Sequence, residues 1–288
     1  MARARANGPT ELRPILKWAG GKSRLVTNIL ARLPAKIETY YEPFVGGGAV
    51  FFALSASGRF RRAVLSDLNA DLVDVYRGVK RDVEAVIALL EDYRRRHDPE
   101  TYYATRGLEP KKLELEERAA RLIYLNKTGY NGLYRVNRSG QFNVPFGRYV
   151  NPTICDAPRL RAAAQALRKV SLKVMDFAEA SAAAKPGDAV YFDPPYVPLS
   201  KTASFTAYHS ETFGPVEHRR LAEAFRDLTQ RSVAAVLSNS DTRETRRLYS
   251  KTDFDVKRVL VARPINSKSS ARGNVSELLV SNHNVLAG

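Results

Sequence analysis

Three consecutive glycines, Gly46-Gly47-Gly48, stand between a strand-like run, Glu38-Thr39-Tyr40-Tyr41-Glu42, and a helical run from Ala49 through Leu54. A glycine-rich turn in that setting narrows the possible folds sharply. It forms the first unit of a nucleotide-binding α/β sheet, where missing side chains let the backbone approach a ligand closely. The turn is not G-x-G-x-x-G, which weighs against a pyrophosphate clamp. The next strand, Ala63-Val64-Leu65-Ser66, ends in Asp67, 21 residues beyond Gly46. That is the usual place for a carboxylate that takes ribose hydroxyls.

A later strand carries the chemistry. Ala189, Val190, Tyr191 and Phe192 form a short apolar run of β-branched and aromatic character, which suits a buried strand. Pro194 and Pro195 end it, since neither donates a ladder hydrogen bond and both fix φ. Asp193, the free carbonyl of Pro194 and the ring of Tyr196 are therefore expected at the carboxyl end of a strand, where open α/β sheets bind ligands. The trio suits one problem, the activation of an exocyclic amine on a nucleobase. The lone pair of such an amine is delocalised into its ring. Two acceptors aimed at its two N–H bonds localise that pair and stabilise the charge that develops during attack. Alone, a D-P-P-Y tetrapeptide is equally an ordinary turn, so the rest of the chain must decide.

The 288 residues allow one large domain, or a core domain with an insertion. A single cysteine, Cys155, excludes an internal disulfide and a multi-cysteine zinc site. The four histidines, His97, His209, His218 and His283, lack metal-ligand spacing; they are expected on the surface or in loops, and no metal is expected. No apolar run has the length to span a membrane, and no hydrophobic segment follows the basic start Met1-Ala2-Arg3-Ala4-Arg5. The expectation is a soluble, cytoplasmic protein. Charge is the strongest global signal: 46 Lys and Arg against 30 Asp and Glu, a net +16. Residues 1 to 36 carry eight basic side chains (Arg3, Arg5, Arg13, Lys17, Lys22, Arg24, Arg32, Lys36) and one acid, Glu11. Such a balance also serves solubility, but it favours a polyanionic partner, since each neutralised phosphate releases counterions.

Leu16 to Lys22 reads L-K-W-A-G-G-K, with a helical pattern from Ser23 that puts Leu25, Ile29, Leu30 and Leu33 on one face. Ser23 is its candidate N-cap, and paired glycines with a lysine at a helix start make a natural anion site. Asn69 caps a helix bearing Leu72, Val73, Val75, Tyr76 and Val79, and a second helix runs from Val83 to Arg96. Between His97 and Gly147 the pattern turns polar, aromatic and basic, with one helix at about Lys111 to Asn126 and a hairpin or long loop from Val136 to Phe146. Asn, Arg and Gln on loops, with tyrosines between them, are the residues that read base edges and stack on exposed bases. The stretch is expected to be an inserted subdomain. The α/β pattern then resumes. A helix spans Ala157 to Leu167, a strand runs from Val170 to Val174, and a polar loop with Tyr208 and His209 follows the Ala189–Phe192 strand. Next come a helix from Pro215 to Thr229 and a strand from Val233 to Leu237, closed by Ser238-Asn239-Ser240-Asp241. Strands near Phe254 to Val261 and Glu277 to Val280 flank a polar loop from Arg263 to Asn274.

In this order the motifs resemble the Dam-like DNA adenine-N6 methyltransferases, over Leu16 to about Asn282. The markers are L-K-W-A-G-G-K at 16–22, E-P-F-V-G-G-G at 42–48, S-D-L-N-A-D-L at 66–72, L-N-K-T-G-Y-N-G-L at 125–133, Q-F-N-V-P-F-G-R-Y at 141–149, D-P-P-Y at 193–196 and S-N-S-D-T at 238–242. Their sequence, donor motif first and D-P-P-Y last, is similar to the α group of amino-methyltransferases. The resemblance implies a Rossmann-like S-adenosylmethionine-dependent sheet formed by residues 1–80 and 151–288, with a largely helical target-recognition subdomain at 81–150. It implies S-adenosylmethionine contacts at Trp18, Lys22, Glu42, Phe44, Gly46, Asp67, Phe177 and Asp193, with Lys22 near the methionine carboxylate and Asp67 on the ribose. It implies a pocket for a flipped adenine at Asp193, Pro194 and Tyr196. Lys17, Tyr130, Asn131, Leu133, Arg135 and Arg138 fall on DNA-contact positions, the partner being duplex DNA, the target GATC and the working form a monomer. Tyr134 and Arg138-Ser139-Gly140 depart from the family's commoner residues at positions that bear on flanking bases rather than on catalysis. Cytosine-N4 methylation, methylation of RNA and a non-catalytic DNA-binding role stay open at this stage, the last disfavoured by intact acid and donor motifs.

Overall fold

The computed structural model describes residues 12–18, 20–22, 24–196, 213–249, 254–262 and 274–282. The expected cap Ser23, the loop residues Tyr208 and His209, the stretch 263–273, His283 and the basic Arg3 and Arg5 lie outside the described residues. In chain order the first elements are α1 (Val26–Leu30), β1 (Ile37–Glu42), α2 (Ala49–Ala56), β2 (Phe60–Asp67), α3 (Ala70–Arg81), α4 (Val83–Arg95), α5 (Pro99–Gly107) and α6 (Leu115–Thr128). They are followed by α7 (Ala157–Leu167), β3 (Val170–Val174), α8 (Phe177–Ala182), β4 (Ala189–Phe192), α9 (Pro215–Gln230), β5 (Ala234–Ser240), α10 (Arg243–Leu248), β6 (Asp255–Ala262) and β7 (Asn274–Ser281).

The chain divides into two compact units, each described by itself. The first takes the chain up to Gly21, then Gly46–Ala56 and Asn69–Leu172; the second takes Lys22–Val45, Ser57–Leu68 and the chain from Lys173.

The first unit is helical, and four of its helices, α3, α4, α5 and α7, start on side-chain caps. Asn69 Oδ1 accepts from the Leu72 N–H at 3.1 Å, while Asp82, Asp98 and Asp156 do the same for α4, α5 and α7. Each such cap is worth about 1 kcal/mol. Gly78 on α3 lies so close to α6 that a Cβ there would stand 2.7 Å from that of Ala119. Only glycine permits this approach, which buries Leu72, Val73, Tyr76 and Val79. The sequence suggested one helix between His97 and Gly147; the structure has two. The missed one, α5, carries its own start signal, Asp98 at the N-cap and Pro99 in the first turn. Its buried Tyr102 packs against Tyr124 and Phe146, so tertiary contacts hold a segment whose own pattern is weak. Of the expected hairpin or long loop after Val136, the loop is what forms, pinned by the isolated bridges Val136↔Phe142 and Gly129↔Phe146. Its turn is fixed by Asn137 Oδ1, which accepts from the N–H groups of Ser139 and Gln141.

Among the described residues the sheet has seven strands in the order β3-β2-β1-β4-β5-β7-β6. β1 pairs in parallel with β2 and β4, β4 with β5, and β7 runs antiparallel between β5 and β6. Within the second unit Val190, Phe192, Leu237 and Val280 pack with Leu221, Phe225 and Leu228 of α9 and with Phe177 of α8. Two expectations are corrected here. Ser238-Asn239-Ser240 do not close a strand; they lie inside β5, buried, because β7 pairs alongside with Ser238↔Leu279, Asn239↔Leu278 and Ser240↔Glu277. His218 is not a surface residue: it sits on the inner face of α9, 3% exposed, its ring edge-on to Phe213, and burial lowers its pKa.

Candidate active site

Parallel strands put their carboxyl ends on one edge, and in the second unit three acids collect there. Glu42 is the last residue of β1 and pairs in register with Leu65, so Asp67 follows two residues further along β2. Asp193 follows directly on β4, whose four residues are all buried. Pro194 is buried, whereas Pro195 is exposed and Tyr196 half-buried. The prolines thus end the strand as expected and leave the acid at its tip.

Asp193 is held firmly through one oxygen. Ser238 on β5 donates its hydroxyl to Asp193 Oδ1 at 3.0 Å, and the Lys22 ammonium lies 2.7 Å from the same atom. Ser238 has one proton and gives it to Asp193, so the Tyr191 hydroxyl, 2.8 Å from Ser238 Oγ, is the donor in that contact. A chain of donors, Tyr191 to Ser238 to Asp193, therefore fixes the carboxylate plane. Among the described residues Oδ2 takes no hydrogen bond. Burial pushes the Asp193 carboxyl above its ordinary pKa, and the Lys22 ammonium and then the Ser238 hydroxyl only partly draw it back. Tyr196 is held at its far end, where its hydroxyl donates to Glu277 Oε2 of β7 at 2.6 Å. One ring face lies 4.4 Å from Lys22 Nζ.

Other expected donor-site residues in this unit form two groups. Glu42 is almost fully buried and accepts from the Tyr40 hydroxyl at 2.7 Å. Phe44 and Phe177 stack at 5.5 Å with an interplanar angle of 25°. Their rings touch each other, so they present an apolar shelf rather than a slot between them. Phe213 meets both rings, and Arg220 from α9 places its guanidinium 4.6 Å from the Phe177 centroid while bonding Asp176.

In the first unit Gly46 adopts φ +47°, and a Cβ there would stand 3.0 Å from the Trp18 indole. The left-handed conformation and the packed indole both require glycine. The Tyr76 hydroxyl donates to Gly46 O at 2.7 Å, and Trp18 lies 5.3 Å from the ring of Tyr134. The expected DNA-contact residues Lys17, Tyr130, Asn131, Leu133, Arg135 and Arg138 are all exposed in this unit. Asn126, buried on α6, organises them. Its Oδ1 accepts from the Lys17 N–H at 2.8 Å, and its Nδ2 donates to Lys17 O at 2.8 Å and to Gly132 O at 2.9 Å. Lys17 is thereby set beside the loop carrying Tyr130 and Leu133. Arg135 is fixed by Asn143, whose Oδ1 accepts from Nε at 2.7 Å and whose carbonyl accepts from Nη2 at 3.0 Å. Cys155 offers no nucleophile, since burial pushes its thiol up to about 12.

Three contacts were not legible beforehand: Ser238 with Asp193, Glu277 with Tyr196, and Asn126 with Lys17 and Gly132. Ser238 and Asn126 stood inside motifs, but the roles depend on register and packing. Within the second unit the acids suit S-adenosylmethionine, a ligand with ribose hydroxyls and a cationic centre, since Asp67 and Asp193 stand at the carboxyl ends of parallel strands.

Comparison with known proteins adds an independent line. A family model described as the D12 class N6 adenine-specific DNA methyltransferase matches residues 18–263. A Type II methyltransferase of Lactococcus lactis subsp. cremoris is 40% identical over 278 residues, 94% of this chain and 96% of that one. A Type II methyltransferase of Methanocaldococcus jannaschii is 40% identical over 95% of this chain and 100% of its own. The DNA adenine methylase of Escherichia coli K12 is 41% identical over 269 residues, 93% of this chain and 94% of that one.

Proposed function

The chain belongs to the D12 class of N6 adenine-specific DNA methyltransferases, and from that membership we propose that it methylates a flipped adenine within GATC in duplex DNA. The observation that carries this reading is the half-committed carboxylate: Asp193 is fixed through Oδ1 and keeps Oδ2 uncommitted among the described residues. S-adenosylmethionine supplies the methyl group as a sulfonium-bound electrophile. Asp193 Oδ2 accepts one hydrogen of the adenine amino group and Pro194 O the other. Two acceptors localise the nitrogen lone pair and stabilise its developing positive charge. Tyr196, braced by Glu277, presents its ring for stacking. Removing a base from the stack costs roughly a few kcal/mol, and stacking on an aromatic ring returns about 1–3 kcal/mol.

Asp67 binds the donor's ribose, Phe44 and Phe177 lie against its adenine, and Glu42 with Lys22 complete the share of the sheet unit. Residues 81–150, with Lys17, recognise the target: Arg135, pre-set by Asn143, reads a guanine edge, Lys17 reaches a second base, and Tyr130 and Leu133 fill the space a departing base leaves. Asn131 and Arg138 contact flanking DNA. The protein works as a monomer on chromosomal DNA in the cytoplasm.

The test is to incubate the protein with labelled donor and plasmid DNA, then digest the product to nucleosides. N6-methyladenosine is expected as its deoxynucleoside; N4-methylcytosine would reverse the choice of base. Nucleases that require or refuse methylated GATC then locate the site. Label uptake without a change at GATC would overturn the site assignment and leave the chemistry standing. Parallel incubation with RNA should give no label.

A further inference from the structure

Two prolines fix where Tyr196 begins, but they say nothing about where its ring points. A tyrosine on a turn swings about its side-chain torsions unless something holds the far end. Here that end is held by a strand not adjacent to the turn's own. The Tyr196 hydroxyl donates to Glu277 Oε2 at 2.6 Å, and the two residues lie 81 positions apart. The sheet order sets β5 between β4 and β7, so a whole strand separates the one that leads into the turn from the one that supplies the acceptor.

The direction of β7 makes this contact possible. It runs antiparallel to β5 and pairs Glu277 with Ser240, the last residue of β5. The first half of β7 therefore lies at the carboxyl edge of the parallel strands, where Asp193 follows β4. Side chains alternate along a strand, so Glu277, paired with Ser240, shares a face with Ser238. Ser238 is the residue whose hydroxyl holds Asp193. The acid and the ring thus take their anchors from one polar face of two neighbouring strands, Asp193 from β5 and Tyr196 from β7.

We propose that Glu277 is a positioning residue for methyl transfer, acting through the Tyr196 hydroxyl to hold the ring in the plane that receives the target base. The proposal rests on the assignment of Tyr196 to that base. A ring free to turn must be ordered when the base arrives, and that cost falls on the reacting complex. A ring already tethered carries none of it. The amine must also meet the methyl group in line, and a tilted base takes its nitrogen off that line. Glu277 needs no contact with base or donor for this. The carboxylate serves as an acceptor of the right reach, and its charge strengthens the bond.

The test is a double-mutant cycle on the tether, read in single-turnover methylation of duplex DNA. Glu277→Ala removes the acceptor, and Tyr196→Phe removes the donor while keeping the ring. Each should slow methyl transfer about ten-fold, the factor that a lost charge-assisted bond corresponds to. The double variant should be no slower than either single one, because both substitutions cut the same bond. Glu277→Gln, which presents an oxygen acceptor on a chain of the same length, should recover most of the rate. Donor affinity, measured by calorimetry, should stay level throughout. Glu277→Leu, which keeps the bulk of the side chain, replaces Glu277→Ala should that variant fail to fold. A normal rate in either single variant, losses that multiply in the double one, or Glu277→Gln as slow as Glu277→Ala overturns the proposal. Donor affinity that falls in step with the rate assigns Glu277 to the integrity of β7 and overturns it too. A wild-type protein that methylates no adenine would instead overturn the reading on which it rests.

Discussion

Ser238→Ala isolates the contribution of one hydroxyl to the reacting geometry. The hydroxyl donates to Asp193 Oδ1 at 3.0 Å and accepts from Tyr191 at 2.8 Å, with the serine fully buried. The substitution removes a hydrogen bond to a charged group, worth about 1.5–3 kcal/mol, and strands the Tyr191 hydroxyl at a further cost of about 1–3 kcal/mol. Loss of the first contact frees rotation of the Asp193 carboxylate and should lower kcat by about 10- to 100-fold, the equivalent of roughly 1.4–2.8 kcal/mol. Donor affinity should hardly change. The pH profile gives a second readout. Ser238 and Lys22 both draw the raised Asp193 pKa downward, so without Ser238 it rises further. Tyr40, Tyr191 and Tyr196, the tyrosines that feel the Asp193 charge, stay in place. The ionised carboxylate is the competent acceptor, so the acid limb of kcat/KM should move to higher pH. Adding Tyr191→Phe removes the stranded hydroxyl and should recover thermal stability without recovering kcat. A Ser238→Ala enzyme with normal kcat and an unmoved acid limb would refute the argument that this relay orients Asp193.

Three further outcomes are expected. Asp67→Ala should weaken donor binding by about 1.5–3 kcal/mol, the worth of a charge-assisted hydrogen bond, while DNA affinity measured by anisotropy stays level; equal losses on both would point to misfolding. Arg135→Ala should relax the choice of one guanine by about 1–3 kcal/mol in a methylation assay on substituted duplexes, and Asn143→Ala should produce a weaker version of the same defect by releasing the guanidinium. Asp241 accepts from Arg246, Arg258 and Ser276, and the Arg246 contact foremost holds its pKa below the usual carboxylate range. Its stabilisation is therefore present above the unfolded-state pKa and lost as pH falls through the folded one, so Asp241→Asn should lower Tm at pH 7 and approach the wild-type value in acid.

The sequence announced those elements whose own residues decide their structure. The helix Ala157–Leu167 and the strands Val170–Val174 and Ala189–Phe192 fall where expected, because caps, apolar runs and prolines act locally. The place of Asp193 at the carboxyl end of β4 was legible for the same reason, as two prolines leave few conformations to the acid before them. The residues that orient it were not. Ser238 serves Asp193 only because β5 lies beside β4 in a register that pairs Phe192 with Leu237. Glu277 reaches Tyr196 only because β7 turns back antiparallel beside β5, 81 residues along the chain. The polar run Ser238-Asn239-Ser240 looked like the end of a strand because polar side chains usually meet water there. In this fold they meet a carboxylate and a neighbouring strand instead, which is why they are buried. The same reasoning explains Lys22. A lysine after two glycines suggests an anion site, yet nothing local says which anion, and within the protein alone the nearest shielded carboxylate, Asp193, takes the ammonium. The place of Asp193 at the tip of its strand is thus a local property, set by the apolar run before it and the prolines after it, whereas its orientation depends on strand register and charge pairing between distant segments.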